Sequence, residues 1–271
     1  MDNVFKRSHQ ALVEDDIQRK VALTFQLAQD WVEGRLCVAV SGVEPVARMP
    51  IPGRPARPEL VAPRALKKRK LTTELGQQSM VHAIAHIEFN AINLALDAVY
   101  RFRDMPDAFL SDWIQVAQEE AQHFSLVRQR LQGLGADYGD FPAHNGLWAL
   151  AVETDHDILA RMAMVPRVME ARGIDVNPGI AKKFEAIGDA EMVDVLAIIF
   201  RDEIGHVAVG SRWFRYVCAQ RGVAAEDTYF EMIRLCGMAG KVRGPFLRAA
   251  RLQAGFSEQE LDRLVAQGSA G

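Results

Sequence analysis

One short pattern, Glu-x-x-His, recurs in this chain and constrains what the chain can fold into. The pattern occurs from Glu120 to His123 and again from Glu203 to His206. In both places apolar residues recur at three- and four-residue steps, which predicts a helix with a buried face. Residues three apart share one face of a helix, so each pair points toward the apolar core. A buried carboxylate and imidazole need a partner that offsets their desolvation, and a metal ion is one such partner.

Each of these two helices follows a segment that carries a single glutamate among apolar residues. Glu88 lies 32 residues before Glu120, and Glu170 lies 33 residues before Glu203. The two halves therefore match, and two antiparallel helix pairs would bring four carboxylates and two imidazoles together in a bundle core. The predicted metal ligands are Glu88, Glu120, His123, Glu170, Glu203 and His206.

The chemistry of this ligand set indicates which metal it suits. Six oxygen and nitrogen ligands without a thiolate fit two iron ions, or two manganese ions, better than one zinc ion. A metal-free polar core is the alternative, although six buried ionisable groups without a metal would be costly.

A third Glu-x-x-His, from Glu153 to His156, competes for the same role. On one continuous helix His156 would lie about 21 Å from Glu170, so both cannot serve one site. We favour Glu170 because of the matched spacing, which leaves the third pair for a channel or a surface. Glu185 or Glu191 would replace Glu170 if the third helix ended early.

Helical periodicity without strand-like alternation predicts an all-α fold in three regions. Residues 1–71 hold a helix from 11 to 34 and then a strap, since six of the 11 prolines fall between Pro45 and Pro63. Residues 72–222 form the four-helix bundle with the metal site. Residues 223–271 form an extension of short helices, the last of which begins with a capping box at Ser257.

The first bundle helix is expected to start near Thr72 or Thr73, either of which could cap it, and to run to about residue 102. The other three are expected at residues 106–133, 145–172 and 189–222. Pro166 should kink the third helix, and Gly173 should end or interrupt it before a short helical piece at residues 178–187. His82 and His86 lie on the first helix, and we interpret them as polar core residues or as residues that support the site from behind.

Composition and charge argue against several classes of function. The net charge of −3 gives no field that would favour nucleic acid or an anionic membrane. The first residues do not resemble a signal peptide, and the longest apolar runs, such as residues 195–200, are too short to span a bilayer. The three cysteines are widely spaced, which suits a reducing compartment. We therefore expect a cytoplasmic protein without a membrane partner.

Four stretches, at residues 82–88, 138–144, 169–176 and 202–207, carry a resemblance to a known group of proteins. Across residues 72–222 the sequence resembles the ferritin-like di-iron carboxylate superfamily. It is most similar there to a bacterial ferritin-like domain family of unknown function, and the similarity extends into residues 244–256. The resemblance implies an antiparallel ferritin-like four-helix bundle that holds two iron ions.

The resemblance also implies roles for individual residues. Glu119 and Asp202, each just before a ligand glutamate, would accept hydrogen bonds from the ligand histidines and orient them. A surface position for both acids is the alternative. Glu120 and Glu170 would be bridging carboxylates. In a distantly similar branch that hydroxylates a modified adenosine in tRNA, a ligand motif resembles the Glu-Ala-Arg at Glu170.

The expected function is an oxidoreductase that activates O₂ as an oxygenase or hydroxylase. Its substrate would be a small molecule or a modified RNA base, and it would need an electron donor. Iron handling (ferroxidase, storage or peroxide scavenging) is one alternative, and storage would require an oligomer. A non-enzymatic metal-binding scaffold is the other. An RNA substrate is suggested by basic residues that could contact phosphates. They are the basic run at residues 64–70 and Arg212, Arg215, Arg221, Arg234, Lys241, Arg243, Arg248 and Arg251.

Overall fold

The computed structural model describes residues 2–269, so Met1 and residues 270–271, at the ends of the first and last predicted regions, lie outside it. The described chain is mostly helical, which confirms the all-α prediction. Its strands β1 (Asp2–Asn3) and β2 (Leu36–Cys37) are two residues long and pair in parallel. The chain forms two compact units. Unit 1 comprises Met1–Val152 and Ala186–Val195, and unit 2 comprises Glu153–Glu185 and Leu196–Gly271.

Unit 1 is built on a pair of long antiparallel helices. Its helices are α1 (Val4–Val13), α2 (Ile17–Val32), α3 (Glu74–Arg101), α4 (Asp107–Gly133) and most of α5 (Gly146–Glu153). The N-terminal part of α3 meets the C-terminal end of α4, where the Gln78 side-chain amide donates to the carbonyl of Leu134 at 2.7 Å. Helix α1 packs on α3, and α2 packs on α4. The predicted bounds of the two long helices are confirmed, and Thr73 caps α3 as expected.

The proline-rich strap between β2 and α3 follows the surface of unit 1. Among the described residues 38–72, the only regular helical turn is the 3₁₀ turn Pro63–Ala65, which confirms the extended prediction. Hydrogen bonds hold the strap in place. The Trp148 indole donates to the carbonyl of Met49 at 3.1 Å, and the Val61 amide donates to the carbonyl of Ala143 at 2.8 Å.

The single helix predicted for residues 11–34 is wrong. The chain forms α1 and α2 instead, with a break at residues 14–16. The Asp16 side chain accepts a hydrogen bond from the Arg19 amide at 2.8 Å and so caps a new helix. The apolar spacing continues across the break, which is why periodicity alone did not reveal it.

Unit 2 contains a helix that changes its winding. Its elements are α6 (Ile158–Met164), a π-helical segment (Val165–Glu170), α7 (Ala171–Glu185), the larger part of α8 (Ala190–Arg221), α9 (Ala225–Leu235), α10 (Arg248–Gln253) and α11 (Glu258–Ser269). The predicted start of α8 is confirmed, since Asp189 accepts from the Met192 amide at 3.0 Å. The capping box at Ser257 and Glu260 is also confirmed.

The continuous helix predicted for residues 145–172 is wrong in two respects. Residues 154–157 interrupt it, because the Asp157 side chain caps a new helix at the Leu159 amide. Gly173 neither ends nor interrupts it, since α7 runs from Ala171 to Glu185. The kink expected at Pro166 takes the form of the π-helical segment, in which the missing proline N–H is accommodated by a wider turn.

The π-helical segment and α7 run antiparallel to α8 within unit 2. A Cβ atom added to Gly210 would overlap the Pro166 ring, so the two backbones approach closely there. Further along, the Asn177 side-chain amide donates to the carbonyl of Leu196 at 3.1 Å. These two contacts fix the register of the helix pair.

The close approach at Gly210 predicts an opposite response at two glycines of α8. Gly210→Ala should lower the free energy of unfolding by about 1–3 kcal/mol, because the added methyl overlaps Pro166. Gly205→Ala is the matched control. It faces open space and should raise stability by about 0.5–1 kcal/mol. Urea unfolding of both variants checks this, and equal effects would contradict the register.

A buried lysine joins three helices of unit 1. The Lys20 ammonium donates to the carbonyls of Ala11 and Leu12 at 2.8 and 3.0 Å and to Asn93 Oδ1 at 2.7 Å. Its side chain is fully buried, and burial lowers the pKa of Lys20 to about 7. The nearby carboxylates of Glu14 and Asp15 oppose that shift. The lysine thus ties the end of α1 to α2 and α3.

Lys20 predicts a pH dependence of stability. Between pH 7 and 10.5 the unfolded chain keeps a proton that the folded chain has released, so this lysine makes folding more favourable as pH rises. The slope is at most about 1.4 kcal/mol per pH unit. Lys20→Met should remove this slope, and it should cost about 2 kcal/mol at pH 7 because buried carbonyls lose their donor. Urea unfolding at pH 7 and 9 is the measurement. The exposed Lys6→Met is the control, and identical pH slopes in the Lys20 variant and the wild type would refute the prediction.

Candidate metal centre

Three of the predicted ligands meet inside the α3–α4 pair of unit 1. Glu88 comes from α3, and Glu120 and His123 come from α4; all three are buried, with Glu120 fully inaccessible. Each offers one ligand atom, and these atoms lie within 4.8 Å of one another. His123 Nδ1 is 3.5 Å from Glu88 Oε2 and 3.4 Å from Glu120 Oε2. Two carboxylates and an imidazole in this arrangement are able to hold a divalent metal ion.

The charges of this cluster are balanced by a proton, which a metal ion would displace. Burial opposes a charge on His123, but hydrogen bonding and charge attraction from Glu120 and Glu88 outweigh it and raise the pKa of His123 to about 11. Burial, with repulsion from Glu120, raises the pKa of Glu88 to about 7, against the pull of His123. A proton on His123 therefore serves as the counter-charge. A metal ion would displace that proton and take over the same role, so the residues fit a metal.

Three buried aromatic rings form a layer beside helices α3 and α4, which carry the cluster. The Phe89 and Phe124 rings, each one residue beyond a ligand, lie 5.3 Å apart, and the Tyr138 ring lies 5.2 and 5.3 Å from them. Sequence analysis did not single out Tyr138 as a site residue, because it lies in the irregular loop after α4. All three rings are buried.

The other three predicted ligands belong to unit 2 and are also buried. Glu170 is the last residue of the π-helical segment and is 9% exposed. Glu203 and His206 lie one turn apart on α8 and are 7% and 1% exposed. Sequence periodicity had predicted this inward face for both helices.

The register of unit 2 brings Glu170 to the same level along the helix pair as residues 203–206 of α8. Pro166 is opposite Gly210, and Asn177 is opposite Leu196. Glu170 lies between these two contacts along its helix, and residues 203–206 lie between them along α8. Each unit thus repeats one arrangement: a glutamate on one helix and Glu-x-x-His on its antiparallel partner. That all six ligands form one centre stays a prediction.

The rival residues lie at the surface. Glu153 and His156, at the break before α6, are exposed. Glu185 is exposed at the end of α7, and the exposed Glu191 lies 3.6 Å from the Arg130 guanidinium. Burial therefore favours Glu170 over all of them.

The two acids expected to orient the ligand histidines are half-buried. Glu119 Oε1 accepts from the Gln115 side chain at 2.9 Å. Asp202 Oδ1 accepts from the Arg201 guanidinium at 2.8 Å. Both contacts are with residues of their own helices, and the orienting role stays a prediction.

His82 and His86 lie in a buried polar cluster of unit 1 that includes Tyr138. His86 Nδ1 lies 2.9 Å from the Tyr138 hydroxyl, and its Nε2 lies 3.1 Å from the carbonyl of His144. His82 Nε2 accepts from the Gly139 amide at 2.9 Å. Burial lowers the pKa of both histidines to about 4. The polar-core interpretation is therefore confirmed, since these neutral rings fasten the loop after α4 to α3.

Several basic side chains that suggested RNA binding are engaged in ion pairs. Arg221 pairs with Asp157 at 2.6 Å, and Arg251, which is buried, pairs with Asp175 at 2.7 Å. The basic run at residues 64–70 is mostly exposed. Arg221 and Arg251 thus contribute to the fold of unit 2.

The role of His123 as a counter-charge predicts its effect on the metal-free protein. His123→Leu would leave two buried carboxylates facing each other, and it should lower the free energy of unfolding by about 3–5 kcal/mol. The exposed His156→Leu should change it by less than about 0.5 kcal/mol. Urea unfolding in the presence of a chelator measures both. Similar small effects would show that His123 is not the counter-charge.

No described helix has the length and apolar character needed to cross a membrane.

No solved structure matches the chain. A relative from Haemophilus influenzae, described as an uncharacterized protein, is 47% identical over 215 residues, which cover 77% of this chain and 74% of the relative. The family described as "Protein of unknown function (DUF455)" matches residues 13–262, from the end of α1 into α11. The chain therefore belongs to the DUF455 family.

Proposed function

We propose that this protein is an oxidoreductase whose ferritin-like helical bundle holds two iron ions, or two manganese ions. The proposed ligands are Glu88, Glu120, His123, Glu170, Glu203 and His206. The observation that carries the proposal is the buried cluster of Glu88, Glu120 and His123. The buried Glu170 and the Glu-x-x-His pair of α8 repeat its composition.

Charge balance supports two divalent ions in one centre. Four carboxylates carry four negative charges, and two neutral imidazoles add none, so two divalent cations would neutralise the set. One ion would leave two buried negative charges, which is costly in a dry interior. Oxygen and nitrogen ligands without thiolate are those that iron and manganese accept.

The bound ions would supply the reduction of O₂ and the oxidation of a substrate C–H bond. The chain itself would contribute three things. The carboxylates and imidazoles would hold the ions, Glu119 and Asp202 would orient the histidines, and the layer of Phe89, Phe124 and Tyr138 would exclude water. A cytoplasmic electron donor is part of the proposal.

We propose that the substrate is a small molecule rather than a modified RNA base. An RNA substrate needs free cationic side chains that neutralise phosphates. In unit 2, Arg221 and Arg251 are already paired with carboxylates. The exposed run at residues 64–70, with the exposed Arg234 and Lys241 of the C-terminal set, remains in favour of RNA.

Iron handling is the alternative that the same ligand set supports, because ferroxidase chemistry also requires buried carboxylates and histidines. Single-turnover O₂ consumption separates the two. Consumption of O₂ that yields only peroxide or water, whatever substrate is supplied, would favour iron handling or peroxide scavenging. A shell-sized oligomer would favour storage, and a metal-binding scaffold would consume no O₂.

Metal content tests the ligand assignment. Protein from iron-supplied cells should contain about two ions per chain. Glu120→Ala/His123→Ala and Glu203→Ala/His206→Ala should each lose most of this metal. The third, exposed motif offers a matched control, since Glu153→Ala/His156→Ala should keep it. Elemental analysis is the measurement. Metal loss in the control variant, or none in the other two, would overturn the proposal.

A further inference from the structure

The C-terminal helices of unit 2 form hydrogen bonds to the backbone around Glu170, the last residue of the π-helical segment. The Tyr229 hydroxyl, on α9, donates to the carbonyl of Arg167 at 3.0 Å. The Arg251 guanidinium, on α10, donates to the carbonyl of Ala171 at 3.3 Å. The two carbonyls bracket Glu170 along the chain. Both contacts are buried.

The side chain of Arg167 adds a second attachment. Its guanidinium is fully buried and donates to Glu260 Oε1, on α11, at 2.8 Å. The rings of Phe214, Tyr229 and Phe256 lie 4.9, 4.3 and 4.6 Å from its central carbon, within the range of cation–π attraction. Arg167 lies three residues before Glu170, so this aromatic cage fixes the turn that carries the ligand.

A third attachment lies just after Glu170. Asp175, on α7, accepts three hydrogen bonds from Arg251, the shortest at 2.7 Å, and one from the Leu247 amide at 2.8 Å. The Asp175 side chain is completely buried. An ion pair that is both buried and multiply hydrogen-bonded holds its helix in one position.

A π-helical turn needs such support because it is less stable than an α-helical turn. An α-helix advances about 100° per residue, so a return of this segment to α-helical winding would shift the residues after it by one position. Glu170 would then rotate by roughly 100° relative to α6 and leave the face that α8 covers.

We infer that helices α9, α10 and α11 position Glu170 as a metal ligand, with Tyr229, Arg251 and Glu260 as positioning residues. The inference rests on the proposed function for the identity of the ligand. The C-terminal extension thus supports metal binding by holding Glu170 in position, in addition to packing against the rest of unit 2. No residue of α9, α10 or α11 needs to touch a metal ion for this role.

Tyr229→Phe is the sharpest test, because it removes one hydroxyl and keeps the ring beside Arg167. Manganese(II) titration of the metal-free protein should show one of two ions bound about tenfold or more weakly. Tyr216→Phe, at a partly exposed tyrosine of α8, is the control and should bind both ions as the wild type does. Unchanged binding by Tyr229→Phe would overturn the inference.

Hydrogen exchange of the metal-free protein gives a second, metal-independent result. The amides of residues 168–171 should exchange faster in Tyr229→Phe than in Tyr216→Phe, while those of α3 and α4 stay unchanged. Should Tyr229→Phe fail to fold, Glu260→Gln takes its place, since a glutamine oxygen can keep the capping bond from the Ser257 amide while the uncharged amide group loses the ion pair with Arg167. If the wild type binds no metal, the proposed function fails. Hydrogen exchange at residues 168–171 then tests separately whether the C-terminal helices hold the π-helical turn. Equal exchange in the variant and the control would overturn this positioning role as well.

Discussion

The burial of opposite charges between paired helices is the interaction on which the structure of this protein depends. In unit 1 two carboxylates and one imidazole lie in a core that is otherwise apolar and aromatic. Each buried charge would cost several kcal/mol if left alone, and their mutual attraction offsets part of that cost. The helices that carry them are therefore packed in one register, in which Glu88 comes beside His123. A metal ion would complete the compensation that the proton on His123 provides without it.

Polar contacts of the same kind recur away from the candidate centre. Lys20 joins α1, α2 and α3 through three oxygen acceptors, and Arg167 lies in a cage of three rings with Glu260. In each case one long cationic side chain connects elements that are far apart in sequence. Such contacts contribute less to net stability than apolar burial does, but they specify which surfaces meet.

Sequence patterns predicted the features that local chemistry sets. Thr73 and Asp189 cap helices as expected, and the burial of Glu88, Glu120, Glu170 and Glu203 follows from apolar neighbours at helical spacing. The failures have a common physical origin. Apolar periodicity runs through the breaks before α2 and α6, where a single Asp side chain caps the following helix. The π-helical winding at Pro166 and the contacts of Tyr229 depend on tertiary packing, which leaves no local pattern.

A crystal structure of the iron-loaded protein, measured at the iron absorption edge, would test the dinuclear centre most directly. We expect two anomalous peaks per chain, about 3.5–4 Å apart as in two-metal sites. One should lie among Glu88, Glu120 and His123, and the other beside Glu203 and His206. A single peak, or peaks at surface carboxylates such as Glu153, would contradict the dinuclear centre.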